Sequence, residues 1–88
     1  MTVEPIEIKR KRLIFRSGHR GTKEMDLFLG SFAAKNVPGF SPEELALYDD
    51  LLNEPDPDLY NWITGKVSVP AHKTNSVVAL LLSHEFAA

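Results

Sequence analysis

The strongest amphipathic stretch in this chain reads Met25-Asp26-Leu27-Phe28-Leu29-Gly30-Ser31-Phe32. Its apolar residues Met25, Phe28, Leu29 and Phe32 recur at i, i+3, i+4 and i+7, which places them on one face of an α-helix. Leu27 and Ala34 widen that face. We therefore predict a helix over residues 22–35 that packs into a core. Gly30 costs about 1 kcal/mol relative to alanine inside a helix, and its presence indicates close packing of a neighbour.

Two further helices flank this one. Residues 6–16 contain no glycine or proline and are rich in helix formers. On the other side, Ser41-Pro42-Glu43-Glu44 is typical of a helix start. Ser41 is expected to be the N-cap, Pro42 occupies the first helical position, and Glu44 completes a capping box.

The C-terminal half predicts two more helices. Asp56-Pro57 repeats the start pattern for a short helix that ends at Gly65. Thr74 or Asn75 can cap a fifth helix that extends to Phe86. That helix is apolar around most of its circumference, so we expect it to be central. The sequence thus predicts an all-α fold, a compact five-helix bundle-like single domain over residues 1–88, with residues 1–4 disordered.

Composition limits the possible functions. The 88 residues contain no cysteine, which excludes disulfides, thiol catalysis and cysteine-based metal sites and fits a reducing compartment. No apolar run is long enough for a membrane helix, and no secretion signal is recognisable, so we expect a bacterial cytoplasmic protein without membrane insertion. Residues 1–23 carry seven lysines or arginines against two glutamates, whereas residues 24–88 carry ten acidic residues against three lysines. This asymmetry suits oriented docking on a partner protein.

The densest polar cluster lies between the first two helices, over residues 17–26. Glycines and charges concentrated on a surface turn are where a function is expected. Gly21 is free to take positive φ, and its bare backbone lets a partner approach closely. Arg20 can serve as a fork-shaped anchor, although a plain Arg20–Glu24 salt bridge is the simpler reading.

Catalysis is not indicated. The histidines His19, His72 and His84 form no metal-binding pattern, and Ser17 beside His19 lacks a third group to orient a base. No phosphate-binding glycine loop follows a strand, so we expect no flavin, nucleotide or metal to be bound by this chain itself.

Nucleic-acid binding is the alternative from another class. The first helix aligns Lys9, Arg12 and Arg16 on one face, and His19 and Arg20 would continue the line, as a phosphate-binding face would require. The acidic remainder of the chain argues against it, and a solvated charged face is an equally good account.

A family resemblance carries the functional prediction. Arg20-Gly21-Thr22-Lys23-Glu24-Met25-Asp26 resembles the Arg-Gly-x-x-Glu-x-Asp signature of the succinate dehydrogenase assembly factors, the flavinator family. The later segment Asp56-Pro57-Asp58-Leu59-Tyr60-Asn61-Trp62-Ile63 resembles the second recurrent segment of that family. Every fixed position of the signature is matched, and the one small departure is Met25, at a variable position where leucine is common.

The resemblance implies a five-helix assembly factor that binds the flavoprotein subunit of succinate dehydrogenase and promotes covalent attachment of FAD there. The factor is then a chaperone-like protein and not an enzyme, and we expect it to be a monomer when free. Whether the fumarate reductase flavoprotein is a second client stays open. The resemblance implies a contact core of Arg20, Gly21 and Glu24, and places beside it Arg16, Ser17, His19 and Asp26.

Overall fold

A computed structural model describes residues 4–85, and this part of the chain contains five α-helices and no β-strand. The helices are α1 (Ile6–Ser17), α2 (Lys23–Asn36), α3 (Pro42–Leu51), α4 (Asp56–Ile63) and α5 (Ser76–Ser83). Short 3₁₀ turns at Val37–Gly39 and Ala71–Lys73 precede α3 and α5. The predicted all-α, five-helix fold is confirmed.

Two sequence predictions fall wholly or partly on residues outside the described range. These are the disorder of the N-terminus, for residues 1–3, and the place of Phe86 in the fifth helix. The predicted extension of that helix is wrong at His84 and Glu85, because the helix ends at Ser83. Glu4, the last residue of the segment expected to be disordered, is described. Both of its carboxylate oxygens accept hydrogen bonds from the Arg12 guanidinium, at 2.9 and 3.0 Å.

Side-chain caps start three of the helices, and those at Ser41 and Asn75 were predicted from the sequence. The Ser41 hydroxyl accepts from the Glu44 N–H while the Glu44 carboxylate accepts from the Ser41 N–H, which forms the predicted capping box. Thr22 caps α2, and Asn75 caps α5. Each cap satisfies an N–H that the first helical turn leaves without a partner. Helix α4 differs, because Asp56 is its first helical residue and makes no cap.

The core is built mainly from α2, α3 and the helices that cover them. Met25, Leu29 and Phe32 of the predicted stripe are buried, whereas Phe28 is half-buried and Leu27 is exposed. Ala33, not Ala34, completes the buried face. The other buried apolar residues are Leu13, Val37, Phe40, Leu45, Tyr48, Leu51, Leu52, Leu59, Trp62, Val77, Val78 and Leu81.

Helices α1 and α2 approach each other closely at two glycines. A Cβ added to Gly30 would lie 3.6 Å from the Gly18 Cα, in van der Waals contact with backbone. The close packing predicted from a glycine inside α2 is therefore confirmed. This contact fixes how the two helices cross on either side of the turn that joins them.

Helix α5 is not central. Its eight residues bury Val77, Val78 and Leu81 against the bundle, but Leu80 and Leu82 remain 40% and 45% exposed. The apolar composition of the helix predicted burial on all sides. The prediction is wrong because α5 lies at the periphery of the bundle, where only one side of it is covered. None of the helices over residues 4–85 is long and apolar enough to span a membrane.

Candidate functional site

The turn between α1 and α2 is organised by the carboxylate of Asp26. Its Oδ1 accepts hydrogen bonds from the backbone N–H groups of Arg20 and Gly21, the latter at 3.2 Å. Gly21 has a φ of +125°, as the turn prediction required, and a Cβ placed on it would meet no atom within 4 Å. The turn thus presents an exposed Gly21 backbone, and the exposed Glu24 follows in the first turn of α2.

The Arg20 side chain is used inside the molecule. Its Nε donates to Asp56 Oδ1 at 2.8 Å, and its two terminal nitrogens donate to the carbonyls of Leu52 and Glu54. Only 10% of the side chain is exposed. Arg20 therefore clamps the α3–α4 connection (residues 52–55) and the start of α4 to the turn.

Two predictions for Arg20 are corrected by these contacts. The guanidinium does not point outward as an anchor for a partner, because three of its donors are satisfied within the chain. The expected pair between Arg20 and Glu24 does not form either, since Arg20 precedes the first helical residue Lys23 and the helical i, i+4 geometry does not apply.

The basic face of α1 is largely neutralised by acidic residues of the same chain. Arg12 and Arg16 both pair with Asp49 of α3, at 2.9 and 3.2 Å. Arg16 also donates to the Leu52 carbonyl and to the side chain of Asn53. Hydrogen bonds from Arg12 hold the pKa of the Asp49 carboxyl below its usual value. Charges that looked bipolar in the sequence are therefore partly paired in the fold, which removes much of the basis for a phosphate-binding face.

Ser17 is a structural residue. Its side chain is fully buried, and its hydroxyl lies 2.7 Å from the Leu13 carbonyl and 2.6 Å from the Tyr48 hydroxyl. Burial raises the pKa of Tyr48 to about 12. A residue sealed in this way has no surface with which to contact a partner, so its expected place in the binding patch is corrected.

His19 stays on the surface and stacks on an exposed aromatic ring. The ring centroids of His19 and Phe15 are 3.9 Å apart, and the His19 Nδ1 lies 2.7 Å from the Phe15 carbonyl. Phe15 is 65% exposed. Of the seven predicted site residues, Gly21, Glu24 and His19 are exposed, whereas Arg16, Arg20 and Asp26 build the turn and its support.

A groove beside the turn was missed in the sequence. It runs between α2 and α4 and is lined by Met25, Leu27, Phe28, Tyr60 and Ile63, with Glu24 at its edge. A sequence signal for it existed: assigning Leu59, Trp62 and Ile63 to the inner face of α4 leaves the aromatic Tyr60 on the outer face.

Among residues 4–85, no group of three His, Cys, Asp or Glu side chains is arranged to hold a metal ion. His84 lies against α2, where its Nε2 is 3.0 Å from the Ser31 hydroxyl. Its ring packs nearly perpendicular to the rings of Phe28 and Phe32. This histidine packs the end of α5 and forms no reactive pair.

Comparison with known proteins identifies related chains. Residues 11–85 match the family described as flavinator of succinate dehydrogenase. A succinate dehydrogenase assembly factor 2 of Debaryomyces hansenii is 45% identical over 87 residues, which cover 96% of this chain and 61% of that protein. The corresponding protein of Dictyostelium discoideum is 42% identical, covering 93% of this chain and 58% of that protein. Assembly factor 2-A of Drosophila willistoni is 41% identical, with coverages of 92% and 53%.

The chain thus spans a little over half the length of these relatives. All three are named as mitochondrial proteins, and all three come from eukaryotes. The prediction of a bacterial cytoplasmic protein is wrong by this finding. That prediction rested on the lack of a membrane-length apolar run and of a recognisable secretion signal, and neither feature specifies a compartment.

Proposed function

This chain belongs to the family described as flavinator of succinate dehydrogenase, and from that membership we propose that it binds the flavoprotein subunit of succinate dehydrogenase and promotes covalent attachment of FAD to that subunit. The relatives named above are assembly factors of succinate dehydrogenase. The proposed role of this chain is therefore also in the assembly of succinate dehydrogenase.

In this proposal the chain contributes binding and no bond-forming chemistry. The flavoprotein subunit supplies a histidine to which FAD becomes attached, and the proposal requires no flavin or metal on this chain. A binding protein accelerates such a step when it binds the reactive conformation of its client more tightly than the others, because that difference in affinity shifts the population. No nucleophile, acid–base pair or electron carrier is needed from the factor.

The observation that carries the proposal is the exposed turn at Gly21. The backbone there is held by Asp26 and is open to solvent, and three residues later in the chain the exposed carboxylate of Glu24 has no ion-pair partner among residues 4–85. A rigid, exposed backbone with one adjacent charge supports close approach of another protein surface. Arg20 and Asp56 contribute by fixing this turn and not by touching the partner.

Co-expression with the flavoprotein subunit tests the proposal. Covalent flavin is measured as fluorescence of the flavoprotein band after denaturing electrophoresis. We expect the chain to raise this fluorescence above a control without the factor, and Gly21→Arg to abolish the increase. Gly39→Arg is the matched control, since a Cβ at Gly39 also meets open space but lies outside the turn.

Each variant is first checked by thermal melting, so that only folded protein is compared. No increase in covalent flavin with the unmodified chain would overturn the proposed function. If Gly21→Arg still increases covalent flavin, the proposed function stands, but the Gly21 turn is not needed for it.

A further inference from the structure

The groove between α2 and α4 is an open apolar surface that the bundle leaves uncovered. It consists of two adjoining hollows of about 410 and 280 Å³, and Glu24, Met25 and Tyr60 line both. Leu27 and Tyr60 are 47% and 42% exposed there. Large apolar side chains grouped around a concavity are typical of a surface that binds a partner.

The lining suits a protein side chain. Phe28 and Ile63 form an apolar wall in the smaller hollow, and Met25 lies along both. An inserted leucine, phenylalanine or similar side chain would remove Leu27 and Tyr60 from water together with its own surface.

The charges along the groove have one sign. Among the described residues that line it, the only ionisable side chains besides the Tyr60 phenol are the carboxylates of Glu24 and Asp56. Asp56 is paired with Arg20, whereas Glu24 makes no ion pair or side-chain hydrogen bond with residues 4–85. A phosphate-bearing ligand such as FAD would meet repulsion here, and a cation beside the groove would meet attraction.

Tyr60 adds to this preference for a cation. The ammonium of Lys66 lies 5.4 Å from the centroid of its ring, so the ring already attracts positive charge at one position. Lys66 does not line either hollow. The carboxylate of Glu24 therefore remains available to a partner.

We propose that this groove receives a segment of the flavoprotein subunit in which an apolar side chain is neighboured by an arginine or lysine. The apolar side chain enters between Leu27 and Tyr60, and the cation pairs with Glu24. This inference rests on the proposed function. It adds a second contact beside the Gly21 turn and states the chemistry of the segment that fills it.

Binding measurements with charge-matched variants test the inference. Dissociation constants are measured by calorimetry between the purified chain and the purified flavoprotein subunit. We expect Glu24→Lys to weaken binding about tenfold or more, as the loss of a close interfacial charge pair predicts. Glu43→Lys makes the same charge change in the first turn of α3, and Glu43 is equally exposed, so it should stay within about twofold of the unmodified chain.

A second pair of variants tests the apolar contact. Leu27→Asp should weaken binding about tenfold, because it places a carboxylate where an apolar side chain docks. Leu82→Asp changes a leucine of nearly equal exposure on α5 and should have little effect. Circular dichroism of all four variants establishes that each one is folded.

A photo-reactive side chain at position 27 then identifies the occupant. We expect cross-links to a flavoprotein peptide that carries arginine or lysine within a few residues of the attachment point. A peptide without a cation, a cross-link to a second copy of this chain, or binding of free FAD that Leu27→Asp abolishes would each overturn the inference.

The two proposals fail in distinguishable ways. If the unmodified chain binds the flavoprotein and both groove variants bind equally well, the groove inference is overturned and the proposed function stands. If the unmodified chain does not bind the flavoprotein at all, both are overturned.

Discussion

The Nε of Arg20 donates a hydrogen bond to the carboxylate of Asp56 across 2.8 Å, and the two residues are 36 positions apart in the chain. One of them stands in the turn after α1 and the other begins α4. Together they join the two sequence segments that carry the family resemblance. The pair is mostly buried, with 10% and 21% of the side chains exposed.

Arg20→Ala should destabilise the fold by about 3 kcal/mol. The substitution leaves the Asp56 carboxylate without its cation and the Glu54 carbonyl without the Arg20 donor, which is the costly way to break a buried pair, whereas the Leu52 carbonyl keeps its bond from Arg16. Urea unfolding followed by Trp62 fluorescence measures the loss. Arg12→Ala is the control, because its ion pairs are more exposed and should contribute less than about 1 kcal/mol. Equal effects of the two substitutions would show that Arg20 is no clamp.

Gly21→Ala should cost about 1–3 kcal/mol although nothing would clash with the added methyl group. The cost comes from the backbone, since a φ of +125° is strained for any residue with a Cβ. Gly39→Ala is the matched control. A Cβ at Gly39 also meets open space, and its φ is not positive, so the change should be neutral or slightly stabilising. Equal unfolding midpoints in urea would contradict this account.

Ser17→Ala should destabilise the fold by about 2 kcal/mol. The substitution leaves the buried Tyr48 hydroxyl without the partner that lies 2.6 Å away. The double variant Ser17→Ala/Tyr48→Phe should lose less free energy of unfolding than the sum of the losses in the two single variants, because both substitutions remove the same hydrogen bond. A double-mutant cycle in urea measures this coupling, and strict additivity would contradict it.

The same tyrosine predicts an alkaline pH dependence. Because the pKa of Tyr48 is raised to about 12 in the folded chain, the folded state retains a proton that the unfolded state loses near pH 10. The stability due to Tyr48 is therefore present below pH 10 and lost as the pH rises towards 12. Between pH 10 and 12 the free energy of unfolding should fall more steeply with pH for the unmodified chain than for Tyr48→Phe. Parallel curves would argue against the burial of this hydroxyl.

His84 predicts a loss of stability on the acidic side. Burial, and then repulsion by Lys35, lower the pKa of His84 in the folded chain. The unfolded chain therefore takes up a proton near pH 6.5 that the folded chain resists, and stability falls as the pH drops below that value. In His84→Gln the melting temperature should depend less on pH between about pH 7 and 5 than in the unmodified chain. His72→Gln, at an exposed histidine, should leave the profile as it is.

The features predicted well from the sequence were local ones. The capping box of Ser41 and Glu44 and the cap at Asn75 involve residues three positions apart, so their geometry is set by the start of a helix alone. The stripe on α2 was likewise found, because its spacing repeats within three turns. Gly30 indicated a close neighbour, although not that the neighbour would be Gly18.

The features missed from the sequence depend on contacts between distant segments. Arg20 was assigned to the surface because arginine usually lies there, yet residues 52–56 supply acceptors that no local pattern reveals. Ser17 is expected in the patch because it lies in the polar cluster just before the signature, whereas the structure pairs its hydroxyl with Tyr48 in the core. Helix α5 was judged by its composition, which does not say how many sides of a helix a small bundle can cover.

The close crossing of α1 and α2 at Gly18 and Gly30 has a consequence for encounter with a client. Because Gly30 packs against the Gly18 backbone and the intervening turn is tied to α4, we expect the outer surface to keep one shape if the proposed partner docks on it. Little ordering entropy would then be lost on association. The affinity of such a surface would be set mainly by the dissociation rate of the partner, since no slow rearrangement has to precede association.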